Sequence, residues 1–354
     1  MRGLYVKRPT LNDLFCLFFL VLLIVLSGGN TQNPDLWNYE RAYSTVKELS
    51  VEGFIYYFLS NQFLKLGIQF PIFRLCLYAG GLIILHSINK KLTQKAPLFY
   101  VLYFASLVMI DTTQTFNFLG MIFLLLGIAS LSLDKKNGTK KFLICTVVAV
   151  GFHFVFILYL PFAYFYRVSD RKLMMKIMGV FISIAFTFSI VSDVTGLTIL
   201  ISKVLNQFDR ITTLDVYLSS RTRYGHFLPI GMHLMLTLLS YYYYRVSKFN
   251  QDEELGDNNT IQRIALMLNL YGIMFFPLFR IQLTLARLTR NMVLVTIFAG
   301  LDLKNKSKVR NTRLILAISL VIFACLQGYY SVYSSYFTDI VIPFFERNWI
   351  LYGN

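Results

Sequence analysis

Apolar runs close to twenty residues long recur from one end of this sequence to the other, and they dictate the fold. Inside a bilayer no water satisfies the backbone, so such runs cross it as helices. A crossing helix needs about 20 predominantly apolar residues. Runs of this kind lie at 14–26, 70–89, 97–110, 116–133, 177–199, 228–244, 262–279, 288–302 and 314–331. Charged residues make up only 15% of the chain, against about a quarter in a soluble domain. The expected architecture is all-α: one polytopic membrane domain over 1–354 with about 9–10 transmembrane helices and a re-entrant helical hairpin. Neither an internal repeat nor a soluble domain is visible.

Charge sets the expected orientation. The formal net charge is +16, and the positive residues cluster at the ends of apolar runs, the pattern of orientation signals rather than of nucleic-acid binding. Expected cytoplasmic loops are about 90–96, 134–141, 167–176, 245–261 and 303–313; expected external segments are about 29–69, 200–227 and 332–354. Arg2, Lys7 and Arg8 precede the first run, which reads as an uncleaved span, with a signal peptide as the alternative. Within the first external segment, the stretch from Val51 to Leu66 reads as an interfacial helix with Tyr56 and Tyr57 at headgroup level. Residues 142–166 are apolar, yet positive clusters flank both ends: Lys140 and Lys141 before, Arg167, Arg171, Lys172 and Lys176 after. A simple crossing would move the clusters at 167–176 and 304–313 outside. Two half-helices, 142–152 and 154–166, that return to the same side keep them in, with one ordinary span as the alternative.

Late in the chain, Arg280, Arg287 and Arg290 stand between two apolar runs. At 100° per residue, Arg280 and Arg287 lie about 20° apart and Arg290 about 60° further round, so one helix, or two meeting at a bend, gathers all three. Charge at membrane depth is costly and usually functional. Arginine keeps its charge and grips phosphate through paired N–H donors. Such a face suits a lipid-linked pyrophosphate; the alternative is interfacial arginines snorkelling to headgroups. The four cysteines, Cys16, Cys76, Cys145 and Cys325, are scattered through apolar runs with no metal or disulfide spacing. His226 and His233 are seven residues apart but lack a third ligand, so a metal site is not expected. The sequence contains no Walker A, GxGxxG, HExxH or GxSxG motif. It also has no Asp-x-Asp pair to hold a metal on a nucleotide-sugar, which points any sugar chemistry toward a lipid-linked donor.

Taken in order along the chain, several motifs resemble those of the EpsG/Wzy-type bacterial polysaccharide polymerases. They are Asp35-x-x-x-Tyr39, the polar turn with Gln114, the Gly151-Phe152-His153 triplet, the Arg287-Leu288 pair and the aromatic tail. The family often has Arg before that Gln, where this chain has Thr113. The resemblance implies a glycosyltransferase in the bacterial cytoplasmic membrane. It would join undecaprenyl-pyrophosphate-linked oligosaccharide units, donor and acceptor alike, into extracellular or capsular polysaccharide, with a flippase and a chain-length regulator as further partners. No cofactor is implied.

Expected roles follow. Arg280, Arg287 and Arg290 bind the pyrophosphate, helped by Arg210, Arg221 and Arg223 from the external loop. His153 is a base or acceptor-orienting group, or else a helix-packing residue. Asp35 binds sugar hydroxyls or acts as a base, or else caps a turn, and Tyr39 and Gln114 contact the glycan. The alternative function is a transporter or flippase of lipid-linked saccharides, for which repeated halves would be expected.

Overall fold

The computed structural model describes residues 10–45, 53–93, 97–167, 225–249, 261–281, 283–306, 310–332 and 337–353, together with the isolated positions 176, 179, 180, 183 and 187. Over these residues the chain is all-helical, apart from one isolated bridge between Asn30 and Asn348. Four stretches are long and apolar enough to cross a membrane: Leu11–Gly29, Phe70–Leu92, Thr115–Leu133 and Ile261–Phe279. Shorter apolar helices accompany them. This is a multi-pass membrane protein. The expected span at 177–199 lies outside the described residues apart from positions 179, 180, 183 and 187, which are helical.

Helix α1 (Leu11–Gly29) opens with a capping box in which Thr10 and Asp13 exchange side-chain and backbone bonds. Two short helices follow, α2 (Leu36–Ser44) and α3 (Phe54–Lys65). Tyr56 on α3 does not face outward as expected. It is buried among Tyr39, Phe73 and Phe116, and its hydroxyl donates to the Tyr39 carbonyl at 3.0 Å. An aromatic body with one polar tip gains more from that packing than from the interface. Helix α4 (Phe70–Leu92) carries Pro71 in its first turn and Lys90 and Lys91 in its last, which matches proline's tolerance there and the helix dipole.

The run at 97–110 is not one straight helix. It breaks at Leu107 into α5 (Leu98–Ser106) and α6 (Val108–Thr113). Ser106 donates back to the Leu102 carbonyl at 2.7 Å and Thr112 to the Val108 carbonyl at 2.8 Å. Such back-bonding bends helices. Gln114 joins α6 to α7 (Thr115–Leu133) in a non-helical conformation, φ −106° and ψ 66°.

Helix α8 (Gly138–Phe152) runs back along α7 from a turn held by the Lys141–Asp134 ion pair at 2.6 Å. At His153 the backbone becomes extended, φ −151° and ψ 118°. The chain then returns as a 3-10 turn, Phe154–Tyr159, and a short α9 (Phe162–Phe165). Phe142, near the start of α8, meets Phe162 on the return limb with ring centroids 5.8 Å apart. The two limbs are therefore antiparallel and end at the same end of the bundle. Pro161, which has no N–H to continue the 3-10 turn, stands at the boundary between that turn and α9.

Helices α10 (Phe227–Phe249) and α11 (Ile261–Gly272) follow; a 3-10 turn leads to α12 (Phe276–Ile281), and another, Leu283–Ala286, to α13 (Arg287–Arg290). Helices α14 (Val293–Lys306) and α15 (Arg310–Val332) complete the bundle. A turn of π-helix, then α16 (Ile342–Glu346) and α17 (Trp349–Tyr352), close over the end of α1. A buried amide–hydroxyl network joins α10, α11 and α14: Asn269 donates to Ser240 at 2.8 Å and to Thr296 at 2.9 Å. In a membrane such bonds supplement packing, contributing ~0.6 kcal/mol each on average. The termini of these helices sort into two ends. One is basic, with Lys90, Lys91, Lys140, Lys141, Arg167 and Arg263; the other gathers Asn30, Gln114, His153, Arg287 and the C-terminal turns.

Candidate functional site

The site is built around α13, a single turn whose first and last residues are Arg287 and Arg290. Four contacts hold it. Leu288 is fully buried, and its carbonyl accepts a hydrogen bond from Tyr159 on the return limb. Thr289 donates to the Ala286 carbonyl at 3.0 Å. Just after the turn, Asn291 and Asn117 on α7 exchange amide bonds at 3.0 and 3.1 Å. The arginine stretch is thus a chain of short turns, not one helix. The angular argument from Arg280 does not carry across the breaks, whereas Arg287 and Arg290 do share one turn.

Each arginine of this turn addresses a different wall. Arg290 donates through Nη2 to Oε1 of Gln114, at the break between α6 and α7. Its charge also acts on Asp111, a buried carboxylate whose Oδ2 accepts from the Tyr103 hydroxyl at 3.0 Å. Arg287 acts electrostatically on Asp35, Tyr39 and His153. These three come from the segment after α1, from α2 and from the tip of the hairpin. Residues scattered over more than half of the sequence therefore converge on one short turn.

Asp35 stands at the N-terminus of α2 but makes no capping bond with its side chain. It is half-buried. Burial raises its carboxyl above the ordinary value, and the Arg287 charge opposes that rise. Tyr39, one turn on, packs edge-on against Phe116 at 5.0 Å. Burial and then the Asp35 charge push its phenol well up. His153 is buried at the hairpin tip, and at Gly151 beside it α8 packs so close to α3 that a Cβ would come within 2.6 Å of the Ile55 side chain.

Of the remaining expected residues, Arg280 lies in α12, with its side chain outside the described part, and Arg210, Arg221 and Arg223 lie outside the described residues. His233 is a packing residue, its Nε2 bonded to the Asn269 carbonyl at 2.8 Å, and His86 pairs with the Tyr100 hydroxyl at 2.6 Å. Among the described residues no three His, Cys, Asp or Glu side chains come together as a metal site. Two residues that sequence reasoning passed over flank the site. Arg74 on α4 is 3% exposed, and Asp111 is 1% exposed. Each was visible as a single charge inside or at the edge of an apolar run.

The sequence model of the EpsG family matches residues 13–346, nearly the whole chain. The chain belongs to the EpsG family. That family of membrane proteins is implicated in exopolysaccharide biosynthesis. No curated protein and no solved structure matches the chain. The family match covers every residue placed at the site, from Asp35 to Arg290.

Proposed function

We propose that this EpsG-family protein is a glycosyltransferase that polymerises lipid-linked oligosaccharide repeat units at the outer face of the bacterial cytoplasmic membrane. The donor glycan is carried on undecaprenyl pyrophosphate, and a hydroxyl of a second lipid-linked unit is the acceptor. One observation carries the reading: two arginines on a clamped turn, with a carboxylate, a tyrosine and a histidine around one and a glutamine on the other.

In the reaction, the acceptor oxygen forms a bond to the anomeric carbon while the bond from that carbon to the pyrophosphate oxygen breaks. The leaving group departs with the electron pair. Its growing negative charge is what Arg287 and Arg290 stabilise, and cations held in place before the reaction cost no reorganisation at the transition state. The acceptor proton goes to Asp35 or His153, both within reach of the Arg287 charge. Asp35 is favoured, because its side chain is not consumed in capping. Tyr39 and Gln114 complete the glycan side of the site.

The test is direct. The purified chain in lipid nanodiscs, given undecaprenyl-pyrophosphate-linked repeat units and no nucleotide-sugar, extends them into a ladder of polymer. In the producing cell, its deletion leaves single lipid-linked units on the outer leaflet. A deletion strain whose units stay on the inner leaflet would instead favour transport.

A further inference from the structure

Arg74 and Tyr78 are four residues apart on α4, so their side chains share one face. Both turn toward backbone carbonyls. Arg74 donates through Nη1 to the Asn30 carbonyl and through Nη2 to the Thr112 carbonyl at 3.1 Å. The Tyr78 hydroxyl reaches the Asp111 and Thr112 carbonyls at 3.1 and 2.8 Å, and the guanidinium lies over its ring at 5.2 Å. Among the described residues no carboxylate forms an ion pair with Arg74. A buried guanidinium without a counter-ion is expensive. Here it straps together two segments that are far apart in sequence.

Each strapped segment leads to the site. From Asn30, the Asn33 amide donates to Asn30 Oδ1 at 2.9 Å, and the Asp35 N–H donates to Asn33 Oδ1 at 3.2 Å. The same Asn30 is locked to the C-terminal turns, donating to the Pro343 carbonyl at 3.1 Å, while Thr31 N–H donates to the Arg347 carbonyl at 2.8 Å. From Thr112, the chain passes two residues on to Gln114, the acceptor for Arg290. We infer that Arg74 is a positioning residue that locks the Asp35 turn to the Gln114 break and so sets the spacing between the proton acceptor and the arginine turn. The inference rests on the proposed polymerase reading for its consequence, but not for its geometry.

The experiment uses the full-length protein in nanodiscs, as wild type, Arg74→Lys and Arg74→Gln. Amide exchange is followed in peptides covering 29–35 and 110–116, with 120–130 in α7 as the internal control. Both variants exchange about tenfold faster or more in the first two peptides and unchanged in the control. Lysine fails like glutamine, because a point ammonium lacks the planar fork that bridges two carbonyls. Polymer extension falls in kcat by about tenfold or more with KM little changed, as expected when placement rather than binding is lost. As a milder variant that keeps Arg74, Tyr78→Phe speeds exchange in 110–116 and leaves 29–35 at the wild-type rate. Unchanged exchange, wild-type behaviour of Arg74→Lys, or faster exchange with kcat intact would each overturn the positioning role. A wild type that makes no polymer would bring down the polymerase reading instead, and exchange alone would then decide whether Arg74 is the strap.

Discussion

Arg290 donates through Nη2 to Oε1 of Gln114, a residue 176 positions earlier in the chain. The bond joins the arginine turn α13 to the break between α6 and α7. It gives the guanidinium one fixed edge. Gln114→Leu removes the acceptor while keeping the volume. A hydrogen bond to a charged group is worth about 1.5–3 kcal/mol, so kcat/KM for chain extension drops about 10- to 150-fold. Initial rates on lipid-linked units check this, and Gln114→Glu, which still accepts, retains more activity than Gln114→Leu.

On the proposed reading Arg287 carries the heavier load, since Asp35, Tyr39 and His153 all lie within its electrostatic reach. Arg287→Ala abolishes polymer while single lipid-linked units persist. By analogy with the loss of a preorganised donor at a developing oxyanion, the rate falls about 100- to 1,000-fold. Arg287→Lys keeps the charge but not the bidentate fork, and it recovers only part of the loss. Polymer laddering on gels, with the undecaprenyl-linked pool quantified in parallel, measures both variants.

Asp35, Tyr39, Gln114 and His153 were named through the order of motifs that resembles the family, and the arginine stretch containing Arg287 also stood out as charge between two apolar runs. Their convergence could not be read, because it depends on breaks that periodicity does not show. The backbone stops at Leu107, Gln114, His153 and again between α12 and α13. Periodicity over 280–290 put three arginines on one side of one helix, or of two meeting at a bend; Arg287 and Arg290 do share one turn, while Arg280 lies in the separate α12. The return at His153 was legible from a different signal, the positive clusters on both flanks. Arg74 was missed because one arginine in a long apolar run gives no pattern to detect.

Asp35 gives the site a pH signature. Burial lifts its carboxyl above the ordinary 3.8, and Arg287 partly offsets the lift. On the proposed reading, the ionised form that takes the acceptor proton is present above the shifted value and is lost as pH falls through it. The acid limb of the kcat/KM profile therefore has its midpoint above 3.8. Asp35→Asn lowers the rate and abolishes that limb. If His153 were the base, the limb would survive in Asp35→Asn and vanish in His153→Asn. The pH–rate profiles of the two variants decide between them.

The amide pair between Asn117 and Asn291 is a stability element that also carries the site. Both side chains are buried, and each donates to and accepts from the other. Asn291→Ala strands the Asn117 amide and costs about 1–3 kcal/mol. The double variant Asn117→Leu/Asn291→Leu removes both polar partners and costs less than the two single leucine changes added together. Thermal unfolding in detergent measures the cycle. Activity falls in all of them, because α13 loses its hold on α7.

The hairpin makes a prediction about sidedness. Phe142 and Phe162 face each other across the two limbs, and the ring of Tyr166 lies 5.8 Å from the Arg263 guanidinium at the basic end of the bundle. Lys140 and Arg167 therefore project from the same end. Their single replacements, Lys140→Cys and Arg167→Cys, are made in a background where Cys16, Cys76, Cys145 and Cys325 are changed to Ala. In sealed inside-out vesicles both react with a membrane-impermeant maleimide, and in intact cells neither does. Labelling from opposite sides would mean that 142–166 crosses the bilayer. His153 would then sit in the middle of a span rather than at a tip beside Arg287, and the acid–base assignments at this site would pass to Asp35 alone.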